Sequence, residues 1–337
     1  MAASIYEIAR KADVSVASVS RVLNRSPKIK KETRDRILAV IEKSNYSPRV
    51  SRTKTKRIVI IAPPFRNIFT SHYVTKSLAA ISDYDFPFTY ELIFLPRSVS
   101  GAGPKELFYF LKTENIFFAI FLYGLVEHEN IMYAAEKKFP HISLAGKYPG
   151  QEKINWIDPD NAGGTTKIIR YLISLGHRDI ALINTAKYLT SSEEKAEAYR
   201  KTLLEAGLKI SEKKVIFSGG TKPEDGYEST IKLLTDSAPP TAIFAGNDNI
   251  AFGMYRALAK MGYSVPGDIS IVGFDNIPLA EHLIPPLTTV HVPWDKVGRR
   301  VGEIIQMYHA TGDLPLIQET VDTDFILRSS TANPRKT

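Results

Sequence analysis

The 337-residue chain contains no cysteine. That excludes disulfides, thiolate metal sites and thiol nucleophiles, and it suits a reducing compartment. Long apolar runs are also missing: none approaches the roughly 18–20 residues that a membrane span needs. The start, MAASIYEIARK, has no apolar stretch behind a basic one, so no secretory signal is expected and a cytoplasmic location is. His72, His128, His282, His291 and His309 are scattered without metal-ligand spacing. Gly101-Ala102-Gly103-Pro104 lacks the Lys-Ser/Thr that completes a phosphate loop and reads as a turn. With no nucleophile–base–orienter set either, the expectation is a protein that is not an enzyme and carries no metal or cofactor.

Apolar residues are plentiful, at 44%, and the length suggests two or three domains. Charge is unevenly placed. Residues 1–57 carry 15 Lys and Arg against 5 Asp and Glu, while the remaining 280 carry 29 against 31. A basic head on a near-neutral body is the electrostatic footprint of a module that meets polyanions.

Within that head, Ser4-Ile5-Tyr6-Glu7 reads as a capping box that opens a helix. Ala12-Asp13-Val14 is a short turn. Ser15 can cap a second helix, on which Val16, Val19, Val22 and Leu23 share a face. A third runs from about Lys31 to Ser44, with Ile37, Leu38, Val40 and Ile41 on its apolar side. Three short helices with a tight turn between the first two match the helix-turn-helix plan over residues 4–24. The second helix starts with the small and polar residues that a recognition helix presents to base edges. Ser15, Ser18 and Ser20 suit phosphate oxygens, as does the helix N-terminus. Val16 and Ala17 can touch thymine methyls, and Arg21 can fork onto a guanine. The competing reading is a small helical bundle in which the serines are caps and Val16 is core.

Residues 48–57 read as a basic linker, and then the pattern changes. Strand-like runs at 57–62, 91–95, 117–123, 141–144, 179–183, 214–217, 241–245 and 270–273 alternate with amphipathic helical stretches such as 164–175, 192–206, 226–235 and 250–261. Such alternation means parallel sheets with both faces covered. Eight such units fit two doubly wound lobes, with any ligand at the carboxyl ends of the strands.

The run Tyr6-Glu7-Ile8-Ala9-Arg10-Lys11-Ala12-Asp13-Val14-Ser15-Val16-Ala17-Ser18-Val19-Ser20-Arg21-Val22-Leu23-Asn24 closely resembles the DNA-binding head of the lactose-repressor/galactose-repressor (LacI/GalR) family. The resemblance continues through Asp160-Asn161-Ala162-Gly163-Gly164, Gly176-His177-Arg178-Asp179-Ile180, Ala245-Gly246-Asn247-Asp248, Gly273-Phe274-Asp275-Asn276 and Pro285-Pro286-Leu287-Thr288-Thr289. It implies an all-α helix-turn-helix head at 1–47, a linker at 48–57, and an α/β, two-lobed, periplasmic-binding-protein-like sensor at 58–333. Lobe 1 is then about 58–157 plus 290–320, and lobe 2 about 160–288 plus 322–333. Crossovers are expected near 156–160, 288–292 and 319–323. The implied protein is a transcriptional regulator, a homodimer on a pseudo-palindromic operator, controlled by a small-molecule effector of which a sugar is the first expectation.

By the same resemblance, Tyr6, Ser15, Val16, Ala17, Ser18, Ser20, Arg21 and Asn24 face DNA. The linker departs from the pattern. Arg49-Val50-Ser51-Arg52-Thr53-Lys54-Thr55-Lys56 is shorter than the family's hinge and lacks its minor-groove leucine. Arg49 and Val50 are the available contacts, whether as a phosphate-tracking segment or as a short helix formed on DNA.

For the effector, Asn247 and Asp275 each follow a strand. Asn offers donor and acceptor, while Asp accepts from vicinal hydroxyls; helix capping is the competing role for Asn247 and Asp248. Lys195 stands where the family has a gripping arginine, a non-equivalent group. Ser191 lies one turn before it. Phe69 can stack on a ring or pack in the core. Thr221 and Val292 replace residues that relatives have as aromatic and Gln. His177 reads as structural. A transport binding protein and an α/β enzyme share parts of this pattern; the basic head and the missing signal oppose the first, and the lack of a nucleophile–base–orienter set or metal cluster opposes the second.

Overall fold

A computed structural model describes residues 5–23, 29–42, 55–62, 71–95, 103–122, 124–125, 128–148 and 150–335. The chain divides into two units, Met1–Thr55 and Lys56–Thr337.

The head holds α1 (Ile5–Lys11), α2 (Val16–Leu23) and α3 (Lys31–Glu42). Ile8, Val19 and Ile37 are fully buried and close a small core with Ala9, Ala12 and Val22. The turn between α1 and α2 is reached by Asp13 at φ +50°, a left-handed geometry that Asp tolerates. Ser15 caps α2, accepting the Ser18 N–H on its Oγ at 3.1 Å. One expected face is narrower than its sequence suggested. Leu38 is 47% exposed, because α3 turns Ile37 and Val40 inward instead. Ser4 and the side chains of Leu23 and Ile41 lie outside the described residues.

The second unit holds two parallel sheets. The larger contains β1 (Lys56–Ile61), β2 (Tyr90–Phe94), β3 (Phe118–Leu122), β4 (His141–Leu144), β5 (Trp156–Pro159) and a late strand at Gln318–Val321. Its order is late strand–β5–β4–β3–β1–β2. The smaller contains β6 (Ile180–Asn184), β7 (Val215–Phe217), β8 (Ala242–Ala245) and β9 (Ser270–Val272) in the order β7–β6–β8–β9. Every ladder within the two sheets is parallel. β10 (Thr289–His291) pairs antiparallel with the last strand, Asp324–Ile326. In chain order these final strands are β11 (Gln318–Val321) and β12 (Asp324–Ile326).

Three segments therefore pass between the sheets: the end of β5, the stretch after β10, and the β11–β12 link. Helices cover the sheets, among them α4 (His72–Ser82), α5 (Pro104–Thr113), α6 (Glu129–Glu136), α7 (Asn161–Ser174), α8 (Thr190–Glu205), α9 (Pro223–Asp236), α10 (Asp248–Lys260) and α11 (Trp294–Thr311). α11 packs on α4; where they meet, a Cβ at Gly298 would run into the Ser77 backbone.

The linker is shorter than the 48–57 read from charge. Lys56 and Arg57 belong to β1. The Lys56 N–H donates to the Thr89 carbonyl at 2.8 Å and its ammonium lies 4.6 Å from the Phe117 ring centroid. Arg57 Nη1 donates to Glu114 Oε2 at 2.9 Å. A basic residue with a sheet edge and a partner is strand, whatever its charge suggests. His177 is structural as read: buried, with Nδ1 2.9 Å from Thr241 Oγ1 and Nε2 2.9 Å from the Ala332 carbonyl.

Candidate functional site

In the head, the outward surface of α2 carries the residues singled out for DNA. Ser15, Ala17 and Arg21 are exposed; Ser18 and Ser20 are half-buried; Tyr6 on α1 is 72% exposed. Val16 is half-buried against the head core, so its side chain is shared between packing and surface. Asn24, Arg49 and Val50 lie outside the described residues.

Between the sheets of the second unit is a cleft of about 570 Å³, within the range of small-molecule sites. Its walls are strand ends: Ala145 after β4, Asp158 of β5, Thr185 after β6, Thr221 after β7, Asn247 after β8 and Asp275 after β9. Parallel strands point their carboxyl ends, and the helices that follow their amino ends, at the same place. The structure thus brings Ser191, Lys195, Thr221, Asn247 and Asp275 around one space, together with Val292. Phe69 lies outside the described residues. The apolar surface comes instead from Tyr73 and Trp294, whose ring centroids are 4.9 Å apart, and from Phe274.

The polar groups differ in how far they are already committed. Asn247 is the cap of α10: its Oδ1 accepts the Ile250 N–H at 2.8 Å and its Nδ2 donates to the Thr221 carbonyl at 3.3 Å. Capping, one of the two roles open from sequence, is occupied, which leaves one amide proton. Asp248, fully enclosed, accepts from Thr289 Oγ1 at 2.6 Å and from the Ile277 N–H at 2.8 Å. Burial, then the neighbouring Asp275, pushes its carboxyl up to about 8, against the pull of those bonds.

Asp275 is different. Among the described residues its carboxylate has no hydrogen-bond partner, and burial pushes it up to about 6 against the pull of Lys195. Its backbone sits at φ +108° and that of Asn276 at φ +54°. Strain of this kind costs about 1–3 kcal/mol per residue and persists only where the surroundings impose it. Arg328 Nη2 donates to Asn276 Oδ1 at 2.8 Å, and the Asp275 N–H donates to the Val290 carbonyl at 2.8 Å.

Lys195 is buried, with Nζ donating to the Gly246 carbonyl at 2.8 Å and lying 4.0 Å from the Phe274 ring centroid. Burial lowers its pKa, while Asp275, Asp158, Glu194 and Asp248 hold it up.

Sequence reasoning missed Asp158. It is 1% exposed; its Oδ2 accepts from Asn161 Nδ2 at 3.0 Å, and its Oδ1 has no hydrogen-bond partner among the described residues. Burial and then the Glu194 carboxylate push it well above the usual range. A polar residue ending a buried strand was the available signal.

One rim of the cleft is clasped. The Thr190 N–H donates to the Gly124 carbonyl at 2.9 Å, Leu125 bridges Leu189, and Lys147 Nζ lies 3.6 Å from Glu194 Oε1. A Cβ at Gly124 would run into Thr190 Oγ1 and the Gly146 Cα. Gly124→Ala is therefore expected to part this rim, with hydrogen exchange at the Thr190 amide rising about tenfold, an opening cost near 1.4 kcal/mol. Unchanged protection would show that the backbone yields elsewhere.

Residues 4–49 match the family model described as bacterial regulatory proteins of the lacI family, and residues 169–331 match a periplasmic binding protein-like domain. The HTH-type regulator DegA of Bacillus subtilis is 31% identical over 307 residues, covering 88% of this chain and 89% of that protein. Catabolite control protein A of Priestia megaterium is 28% identical over 332 residues, covering 97% and 96%. The repressor PurR of Escherichia coli is 30% identical over 304 residues, covering 88% and 87%. Among solved structures, a Lac repressor dimer bound to operator and the anti-inducer ONPF superposes with a TM-score of 0.78 at 22% identity, covering 98% of this chain and 100% of that one. The complex of the regulator CelR with cellobiose gives 0.73 at 24%, covering 97% and 99%. The helix-turn-helix head, the two-lobed unit and these relatives agree: the chain belongs to the lacI family of bacterial regulatory proteins and is a DNA-binding transcriptional regulator.

Proposed function

We propose that the chain is a cytoplasmic repressor that binds a pseudo-palindromic operator as a homodimer and is controlled by a small hydroxylated effector, a sugar first among them, held in the cleft. It acts by binding, without a catalytic step or a cofactor. The observation that carries the reading is the pairing, in one chain, of a basic head exposing the start of α2 with a cleft whose walls hold an aromatic pair and an uncommitted carboxylate. A sugar needs that pair of surfaces: an apolar face for its ring and acceptors for its hydroxyls. Its binding shifts the lobes, and operator affinity and effector affinity change reciprocally through one coupling free energy.

In the head, Ser15, Ser18 and Ser20 take phosphate oxygens, Val16 and Ala17 read thymine methyls, and Arg21 reads guanine. Tyr6, Asn24, Arg49 and Val50 supply further DNA contacts. Selection from a random duplex library supplies the operator. Against it, Arg21→Ala is expected to lose about 1–3 kcal/mol and to relax preference at one base-pair position. An equal loss on every sequence would make Arg21 a phosphate contact. The effector assignment is tested by thermal shift and operator release against a panel of sugars and nucleosides.

A further inference from the structure

The second unit begins at Lys56, where the linker ends, and the chain is held there in two ways. The Lys56 N–H donates to the Thr89 carbonyl at 2.8 Å, and its ammonium rests on a ring, 4.6 Å from the Phe117 centroid. Phe117 is in turn seated on the last turn of α11. Its ring centroid is 5.1 Å from that of Tyr308 and 6.0 Å from that of His309. Phe88, the neighbour of Thr89, completes the seat, 4.2 Å from His309 and 5.9 Å from Phe117. Backbone and side chain of Lys56 therefore both lead to the carboxyl end of α11.

The amino end of α11 is at the cleft. Its first residue, Trp294, lines the cleft beside Tyr73, the second residue of α4. Between the two ends lie 18 residues of helix without a proline. That is about 27 Å at the usual rise per residue. The helix is close-packed along this length. Val297, Val301, Ile304 and Ile305 are buried, a Cβ at Gly302 would run into the Tyr84 ring, and the Tyr84 hydroxyl donates to Gln306 Oε1 at 2.8 Å. A straight element in a dense interior shifts as a body and does not absorb a displacement along the way.

We infer that Lys56 and Phe117 are positioning residues for operator binding: they key the end of the linker to α11, and α11 carries the state of the cleft to it. A ligand that enters against Trp294 and Tyr73 shifts the start of the helix. The Tyr308–His309 turn follows, and Phe117 and Phe88 take Lys56 with them. Operator binding acts on the linker and runs the same train in reverse, since coupling between two sites is reciprocal. This rests on the effector-controlled repressor reading above and names its route of regulation.

The test uses the full chain and the selected operator, with no effector. Hydrogen exchange is followed at the Val297 amide, whose N–H donates to the Pro293 carbonyl at 3.1 Å in the first turn of α11. Operator is expected to change that rate about threefold or more in the native chain. The change should vanish in Lys56→Met, which keeps the stem and loses the charge, and in Phe117→Leu, which loses the ring. Lys56→Arg, which can stack on the same ring, should retain it. Lys56 is half-buried at a strand start, so Lys56→Met decides the matter even where Phe117→Leu fails to fold. Operator affinity should fall about fivefold in Lys56→Met, with the dependence of log affinity on log salt unchanged. A salt slope smaller by about one would make Lys56 a phosphate contact and overturn the inference. An exchange rate indifferent to operator in the native chain overturns it, as does an operator response that survives in Lys56→Met; both leave the repressor reading standing. A native chain that binds no duplex at all removes that reading and this inference together.

Discussion

Replacing Lys195 with methionine is expected to lower the melting temperature of the second unit by about 10 °C, from a loss of roughly 3–5 kcal/mol. Lys195 is the buried cation in the midst of Asp158, Glu194, Asp248 and Asp275. Methionine keeps the volume and loses the charge, so enclosed carboxylates are left facing one another. The loss should depend on pH. In the native protein Asp275 is raised to about 6, so its contribution to stability is fully present below about pH 4 and is lost as pH rises through 6. Lys195 is what holds that value down. Without it, protonation of Asp275 persists to higher pH and the decline continues further. The gap between variant and native protein is therefore expected to be small near pH 5 and largest above pH 7. Thermal melts across that range check it. A gap that is constant with pH would mean that Lys195 contributes packing along Phe274 rather than charge.

Ile37→Ala is expected to destabilise the head and reduce operator binding by up to about a hundredfold, while the melting transition of the second unit stays where it is. Truncating a fully buried isoleucine costs about 2–5 kcal/mol. The head has one small core, Ile8, Ala9, Ala12, Val19, Val22 and Ile37, and units of this size have little stability to spare. A loss near 3 kcal/mol shifts the ratio of folded to unfolded head about a hundredfold. Fluorescence anisotropy on operator DNA at fixed salt, with calorimetry of the same sample, separates the two effects. Full affinity in the variant would show that contact with DNA restores the head.

Much of the fold was legible because local chemistry and tertiary packing agree. Val19 and Ile37 recur at helical spacing and are buried; the run 179–183 reads as strand, and Ile180–Asn184 is one, buried throughout. Strands β1 to β4 and β6 to β9 fall within about two residues of where apolar runs place them, as edge fraying allows. α11 was harder to see. Its Val297, Val301, Ile304 and Ile305 are buried, but Lys296, Arg299, Arg300 and Glu303 are interleaved on the solvent side. β5, β10, β11 and β12 are short links whose pairing depends on distant strands. Periodicity carries no information about such partners.

The candidate site divides in the same way. Asn247 and Asp275 could be named from residue type and position after a strand, and Lys195, Ser191 and Thr221 from the resemblance to the family. Their commitments could not. Asn247 turns out to be spent on Ile250 and Thr221, whereas the carboxylate of Asp275, also in a loop after a strand, has no hydrogen-bond partner among the described residues and sits on a strained backbone. Asp158 and Glu194 stand 36 residues apart in the chain and share Asn161 only once α7 and α8 pack side by side.

By itself, the sequence determined the charge asymmetry, the three-helix head with its exposed serines and arginine, and the alternation that commits the rest of the chain to parallel sheets. These follow from composition and from periods of two and 3.6 residues, which any local window contains. Only the tertiary structure decided which acids are enclosed, which are capped and which face the cleft. Those properties depend on desolvation and on partners brought from elsewhere in the chain.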